Sequence, residues 1–524
     1  MDDQRLKHGL KMRSNKYNRF PWHTILFSLF PILALAAYNI NQINIRVVYR
    51  PLLISLAASI ILLFSFKMIF KDWQRAGLLT TLVLILFFSY GHIYNILHNI
   101  IIANVPMVRN RTLALLWVFI AGLCVWFVSS SKNKGWLGPL TKALNLIIAS
   151  LTIFQLGSLL WFGYQINQAD ASKQVLDSPY VSDDPEAKTT SLPDIYYIIL
   201  DSYGRSDVLR TSYGIDNSAF LSQLQGLGFY IAGCSMSNYA QTEMSLASTL
   251  NFNYLEALAT TFTPNHDNNA ILLSLIKNSA TRRILESQGY QTVAFATGYV
   301  WTEWENADFY FSPGGYWQIT EFETMLVRSS AGLILLDSGL LNSDQTSIER
   351  TRGRTLYVLD KLESLPSDLT PKFVFVHLIV PHRPFVFGPN GESILIGPLS
   401  SERSYTREEY KEGYGNQVNY IDARITEIVS TIIAGSRNPP IIIIQGDHGP
   451  GLSSNQDRMS ILNAYYLPWE SSLLYDSITP VNTFRVIFDE YFHGNYKLLE
   501  DVSNFSIYDN PYVFQEIKND CLGQ

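Results

Sequence analysis

Five apolar stretches in the first third of the chain constrain it more than any other feature. They run near Thr24–Ile40, Pro51–Phe66, Ala76–Leu97, Leu113–Ser130 and Leu144–Tyr164. Each approaches or reaches the roughly 20 residues that cross a bilayer as a helix. Five such runs in tandem, separated by short charged loops, do not resemble the core of a soluble protein. The first is read as a span and not as a cleaved signal peptide, because no small-residue cleavage site accompanies it and four further spans follow.

The loops supply an orientation. The N-terminal tail carries Arg5, Lys7, Lys11, Arg13, Lys16 and Arg19, and the second and fourth loops carry Lys67, Lys71, Arg75, Lys132, Lys134 and Lys142. The first and third loops hold only Arg46, Arg50, Arg109 and Arg111. The richer set is expected on the cytoplasmic side. An odd number of spans then delivers the C-terminal part outside, in a multi-pass protein of the plasma or inner membrane. Trp22, Trp73, Trp136 and Trp161 lie near span ends, as interfacial aromatics do.

Residues 165–192 are polar and without periodicity and read as a tether. The expected organisation is therefore a membrane domain over 1–164, a linker over 165–192 and an extracytoplasmic catalytic domain over 193–524. A length of 524 residues accommodates this division. The net charge of −6, with no basic face interleaved with aromatics, excludes nucleic acid as a partner. Cys124 lies in an apolar run, which leaves Cys234 and Cys521 as one pair that nothing in the sequence forces.

From Pro193 onward, short β-rich runs alternate with helical patterns. Strands are expected at Ile195–Leu200, Thr292–Phe295, Phe373–Leu378, Ile441–Ile444 and Ala464–Leu467, several of them apolar at every residue, as in a parallel sheet covered on both faces. Helices are expected over Asn217–Leu227, Ala270–Gln288 and about Arg407–Ile433, the last with Val418, Ile421, Ile425, Ile428 and Ile432 on one stripe. The alternation implies a doubly wound α/β domain, whose ligands bind beyond the carboxyl ends of the strands.

Three strands end in metal-ligand residues. Asp201 follows Ile-Ile-Leu, His377 and His382 follow Phe-Val-Phe-Val, and Asp447-His448-Gly449 follows Ile-Ile-Ile-Ile-Gln-Gly. Asp201, Asp447 and His448 offer the two carboxylates and imidazole that a Zn or Mn ion takes. Thr242, in a polar loop opening an amphipathic helix with Leu246, Ala247 and Leu250 inward, is the candidate nucleophile. A helix N-terminus and a metal both lower the cost of an alkoxide there. Taken singly, each residue has an ordinary reading: Thr242 as a helix cap, Asp201 and Asp-His-Gly as turns, His382 as a rigid turn histidine in Pro-His-Arg-Pro. In the functional reading His382 donates to the transferred group or leaving oxygen, and Arg383 clamps an anion. His377 reads as structural, and His266 and His493 as surface residues.

The ordered set Ile-Ile-Leu-Asp201-Ser-Tyr-Gly-Arg, Thr242-Glu-Met-Ser-Leu-Ala-Ser, His377-Leu-Ile-Val-Pro-His382-Arg-Pro-Phe and Gly446-Asp447-His448-Gly449 resembles the sulfatase-like branch of the alkaline phosphatase superfamily. The layout is similar to lipoteichoic-acid synthases and lipid A phosphoethanolamine transferases, with five membrane helices and an extracytoplasmic α/β domain whose mostly parallel sheet is covered by helices. The resemblance implies one Mn or Zn ion held by Asp201, Thr242, Asp447 and His448, with Thr242 as covalent nucleophile and His382 beside the substrate. Two departures stand out: Asp201 occupies a position where the lipid-headgroup transferases usually carry Glu, and the formylglycine signature of true sulfatases is missing around Cys234. The expected activity is transfer of a phosphoglycerol or phosphoethanolamine headgroup from a phospholipid donor to an envelope glycan or lipid acceptor. The alternative is a membrane-anchored phosphodiester or sulfate-ester hydrolase.

Overall fold

The computed structural model describes residues 20–521 except 41, 99, 103–104, 107–108, 131–134, 173–191, 259–268, 315–318, 339–342, 366–370, 398–404, 453 and 470. The basic tail up to Arg19, Lys132, Lys134, most of the tether and His266 lie outside the described residues. Two compact units are present: residues 1–164 with 316–346, and residues 165–315 with 347–524.

The first unit is helical. Helices α1 (Trp22–Tyr38), α2 (Tyr49–Phe70), α3 (Trp73–His98), α4 (Asn110–Ser130) and α5 (Leu137–Ser172) match the five apolar stretches. Four of these segments are long and apolar enough to cross a membrane, and α1, at 17 residues, is at the short end of the spanning range. Exposed Leu115, Val118, Phe119 and Ile153 on their outer faces are what a lipid solvent requires. Helix α5 runs eight residues beyond Tyr164, into the segment read as tether. Its polar extension contains neither Gly nor Pro, and an existing helix adds each residue at little cost.

Residues 316–346 were not anticipated as part of this unit. Within them, α10 (Glu321–Arg328) opens on a reciprocal Thr320–Glu323 capping box, and α11 (Leu333–Asp337) follows. Phe322 is buried among Ile32, Ala36, Leu84 and Phe88, and Ala331 N donates to Phe87 O at 2.7 Å. Glu323 forms a two-pronged ion pair with Arg50 at the start of α2. The approach is close enough to need a glycine: a Cβ on Gly91 would lie 2.2 Å from Arg328 O.

The second unit is built on a seven-stranded sheet. Its strands are β1 (Ile195–Leu200), β2 (Tyr230–Ile231), β3 (Gln291–Phe295), β4 (Phe309–Phe311), β5 (Lys372–Leu378), β6 (Ile441–Gly446) and β7 (Asn463–Tyr466), in the order β2-β7-β6-β1-β5-β3-β4. The five strands from β6 to β4 are parallel, and β7 pairs antiparallel with both β6 and β2. Alternate residues of each strand enter opposite cores. Tyr196, Ile198, Leu200, Val374, Val376, Ile442 and Ile444 pack with α6 (Ser218–Gly226), α12 (Ser343–Glu363) and α13 (Arg407–Gly435), the last through Val418, Ile421, Ile425 and Ile428. Tyr197, Ile199, Phe373, Phe375, Ile441 and Ile443 pack with α7 (Thr242–Leu250), α8 (Asn269–Lys277) and α14 (Thr483–Phe492). Both faces being covered, the strands carry no polar alternation.

The stretch expected as one helix over Ala270–Gln288 is two. Helix α8 stops at Lys277 and α9 (Ala280–Ser287) restarts from Ser279, whose hydroxyl accepts from Arg282 N. The serine caps a new helix end, and that competes successfully with continuing the old one. A disulfide joins Cys234 to Cys521, 287 residues apart in the chain.

Candidate active site and metal centre

The carboxyl ends of β1, β5 and β6 lie side by side, because β1 is hydrogen-bonded to the other two. Asp201 N donates to Leu378 O at 3.0 Å, which extends the β1–β5 pairing one residue past the strand and aims the carboxylate out of the sheet. The next residue, Ser202, has φ of 68°, a left-handed conformation that costs a non-glycine residue about 1 kcal/mol or more. Surrounding bonds hold it there. Ser202 N donates to Asp447 Oδ1 at 2.9 Å, Ser202 Oγ donates to Gly449 O at 3.2 Å, and Tyr414 Oη donates to Ser202 O at 2.8 Å. The Gly of Asp-His-Gly is required by space: a Cβ on Gly449 would lie 2.1 Å from Asp457 O.

Thr242 is the first residue of α7, and Gln241 before it is the N-cap, without a side-chain capping bond. The Thr242 hydroxyl turns instead to His448 Nε2, at 3.3 Å. Met244, Leu246, Ala247 and Leu250 fasten the helix into the core, so the position of Thr242 is fixed from behind. Ser237 Oγ and Ser245 Oγ both donate to the Asp447 carbonyl, at 2.6 and 2.7 Å, tying the Thr242 segment to the loop after β6.

The structure brings together Asp201, Thr242, Asp447 and His448, and it adds His377, which the sequence had suggested was structural. His448 Nε2 lies 3.4 Å from Asp447 Oδ2 and 3.7 Å from Asp201 Oδ1, and His377 Nε2 lies 3.6 Å from Asp201 Oδ2. Ligand atoms of Asp201, His377 and Asp447 fall within 4.8 Å of one another, all buried. Asp201 Oδ1, Asp447 Oδ2 and His377 Nε2 are buried without a hydrogen-bond partner. Unsatisfied buried polar atoms are costly, and these three, gathered on one group of ligand atoms, form a site that could hold a cation. The donor set, carboxylate and imidazole, fits a borderline divalent metal.

The imidazoles are prepared for this role. His448 Nδ1 is 3.0 Å from Gly449 O, an acceptor only, so Nδ1 carries the proton and Nε2 the lone pair. His377 Nδ1 lies 2.9 Å from Thr302 Oγ1, which can donate to Tyr299 O or Thr297 Oγ1; in that arrangement it accepts from Nδ1, and Nε2 is the ligand atom. Burial lowers the His377 pKa to about 4 and drives that of His448 well down, the latter helped by the Arg458 charge. Burial, and then the neighbouring Asp447 charge, raise Asp201 well above the ordinary carboxylate range. A cation bound between these groups would reverse that penalty.

His382 lies at the rim, its ring centroid 6.4 Å from that of His448. Its loop is held by His382 N donating to Asp201 O at 3.1 Å and by Gln417 Nε2 of α13 donating to Pro381 O and His382 O. His382 Nδ1 donates to Arg383 O at 2.6 Å, so Nε2 is free to accept or carry a proton. Arg383 itself is exposed. The guanidinium bound to both site loops is that of Arg458, through Ala240 O at 2.9 Å and Gly449 O at 3.4 Å, and its charge acts on Asp201, His382 and His448. Glu243, next to Thr242, accepts from Tyr299 Oη at 3.3 Å. Neither Arg458 nor Glu243 follows a strand, so the rule that located the other residues passes over them. His493 is exposed at the end of α14, as expected for a surface residue.

A mostly parallel sheet with carboxylates and imidazoles at adjacent strand ends, facing a hydroxyl at a helix start, defines an enzyme of the alkaline phosphatase type. The sulfatase family profile matches residues 193–486, more than half of the chain, and the protein belongs to that family. No curated protein matches the sequence. Among solved structures, the C-terminal periplasmic domain of EcEptC from Escherichia coli in complex with Zn is similar at 14% identity, over 64% of this chain and 94% of that one, with a TM-score of 0.43. The lipoteichoic acid synthase LtaP from Listeria monocytogenes is similar at 13% identity, over 62% and 76%, with a TM-score of 0.36. The periplasmic domain of phosphoethanolamine transferase EptC from Campylobacter jejuni is similar at 11% identity, over 59% and 92%, with a TM-score of 0.35.

Proposed function

We propose that the protein is a membrane-anchored transferase that moves a phosphoglycerol- or phosphoethanolamine-type headgroup from a phospholipid to an envelope glycan or lipid. The observation that carries this reading is the Thr242 hydroxyl, uncommitted to capping and 3.3 Å from His448 Nε2, beside three orphaned ligand atoms. Asp201, Asp447, His448 and Thr242, with His377 as a further donor, would hold one Mn or Zn ion, which when bound would supply positive charge that favours the alkoxide and offsets the phosphoryl oxygens. Thr242 Oγ1 forms a bond to phosphorus, and the bond from phosphorus to the diacylglycerol oxygen breaks. The proton lost by Thr242 ends on that oxygen, with His382 Nε2 as carrier. In the second half an acceptor hydroxyl gives its proton to His382 and bonds to phosphorus, the bond from phosphorus to Thr242 Oγ1 breaks, and the proton passes from His382 to Thr242 Oγ1. Arg458, between the two loops, orients the phosphoryl oxygens.

The Lys/Arg asymmetry of the loops supports an extracytoplasmic active site in the plasma or inner membrane. So does the Cys234–Cys521 disulfide, a bond that persists in oxidising compartments. The test is mass spectrometry of the purified protein after exposure to each phospholipid without an acceptor. The expected result is a headgroup adduct on the peptide containing Thr242 and release of diacylglycerol. An adduct discharged only by water, never by glycan or lipid acceptors, would replace transfer with hydrolysis. Turnover with no adduct on Thr242 under any quench would remove the covalent route.

A further inference from the structure

The helical unit contains a cavity of about 530 Å³, remote in the chain from every residue of the active site. It is walled by α2 (Ile54, Ala58), α3 (Val83, Phe87) and the returning segment α10 (Leu326, Val327), and its polar end is the Arg50–Glu323 pair. The volume falls in the range of small-molecule sites. Two observations identify an occupant. First, α2 and α3 are segments long and apolar enough to cross a membrane, so the medium around the cavity is hydrocarbon, and apart from Arg50, Glu323, Ser55 and Ser330 its lining is apolar. Second, Arg50 and Glu323 sit at one end only, where α2 begins, and present opposite charges side by side. A chain of methylenes ending in a phosphate with an adjacent ammonium matches both features.

We propose that this cavity is a phospholipid-binding site, taking one acyl chain between α2, α3 and α10 with the headgroup phosphate at Arg50 and an amino group at Glu323. It differs from ordinary lipid contact because one wall comes from residues 316–346, a segment that enters the helical unit from the middle of the catalytic sequence. A lipid there bridges that segment to the spans. Its occupancy does not depend on Thr242 chemistry.

Full-length protein is reconstituted into phosphatidylethanolamine vesicles containing a trace of the same lipid with a photoreactive diazirine on one acyl chain. After irradiation the adducts are mapped by mass spectrometry. Labelling is expected to concentrate several-fold on Ile54–Leu62, Val83–Phe88 and Leu326–Val327, relative to Leu115, Val118 and Phe119 of α4, which are exposed on the outer face and line no cavity. Ala58→Trp, from the α2 side, and Val327→Trp, from the α10 side, each fill the cavity. Each should cut cavity labelling several-fold while leaving α4 labelling unchanged, in protein whose helical circular dichroism is intact. Thr242→Ala should label as the parent does. Labelling no denser than on α4, or undiminished in both folded Trp variants, would overturn the site. A photoreactive phosphatidylglycerol that labels the cavity as strongly would overturn the charge pairing at Arg50 and Glu323.

Discussion

A hydroxyl opening a helix can serve the backbone or the chemistry, and at Thr242 the two leave different traces. Gln241 occupies the cap and Thr242 Oγ1 faces His448, so Thr242→Ala should lower turnover by about a thousand-fold or more in a headgroup-transfer assay. It should shift the melting temperature by far less than loss of a true cap, which costs about 1 kcal/mol. Thr242→Ser should keep part of the rate. Ser245 lies one turn later and holds the Asp447 carbonyl, so Ser245→Ala acts on metal retention before it acts on chemistry. For the metal, His377→Gln and Asp447→Asn should each weaken Zn or Mn binding at least about ten-fold by elemental analysis and competition with a chelator. Parent-like metal affinity in His377→Gln would return that histidine to a structural role through Thr302.

At the scale of elements, α13 both covers the sheet and supports the loops of the site. Its Asp422 is buried and accepts from Tyr203 Oη at 2.7 Å, and burial raises its pKa from 3.8 to about 8. The folded protein therefore holds a proton there that the unfolded chain loses near pH 4. This contribution to stability is complete below about pH 4 and is lost as pH rises to about 8, at up to about 1.4 kcal/mol per pH unit. Asp422→Asn retains an acceptor for Tyr203 without titrating. Chemical denaturation of the soluble unit at intervals from pH 5 to 8 should show a flatter stability profile in the variant, and parallel profiles would contradict the assignment. Other elements could be read in advance. Strands β1, β3, β5, β6 and β7 fall within a residue or two of their expected positions, because uninterrupted Ile, Val and Phe runs have few ways to be buried. The break between α8 and α9 was not legible, since Ser279 caps a helix only once α9 has somewhere to pack.

For the whole molecule, topology is the feature most open to test. Protease added from the extracytoplasmic face should cleave within 173–191, between α5 and β1, and yield on a denaturing gel a C-terminal fragment in which Cys234 and Cys521 remain linked until reduced. Cys124 alone should react with a thiol reagent in the unreduced denatured protein. Protection of 173–191 from that face would reverse the orientation.

The sequence by itself determined the apolar spans, the doubly covered sheet, and Asp201, Asp447 and His448 at its strand ends. These rest on local pattern: run length against bilayer thickness, and the rule that parallel strands present ligands at their carboxyl ends. Only the tertiary structure decided that His377 faces Asp201, that Arg458 joins the two site loops, that Cys234 meets Cys521, and that residues 316–346 pack with the helical unit. Each of these is a contact between residues far apart in the chain, made by side-chain direction and packing, which no local periodicity records.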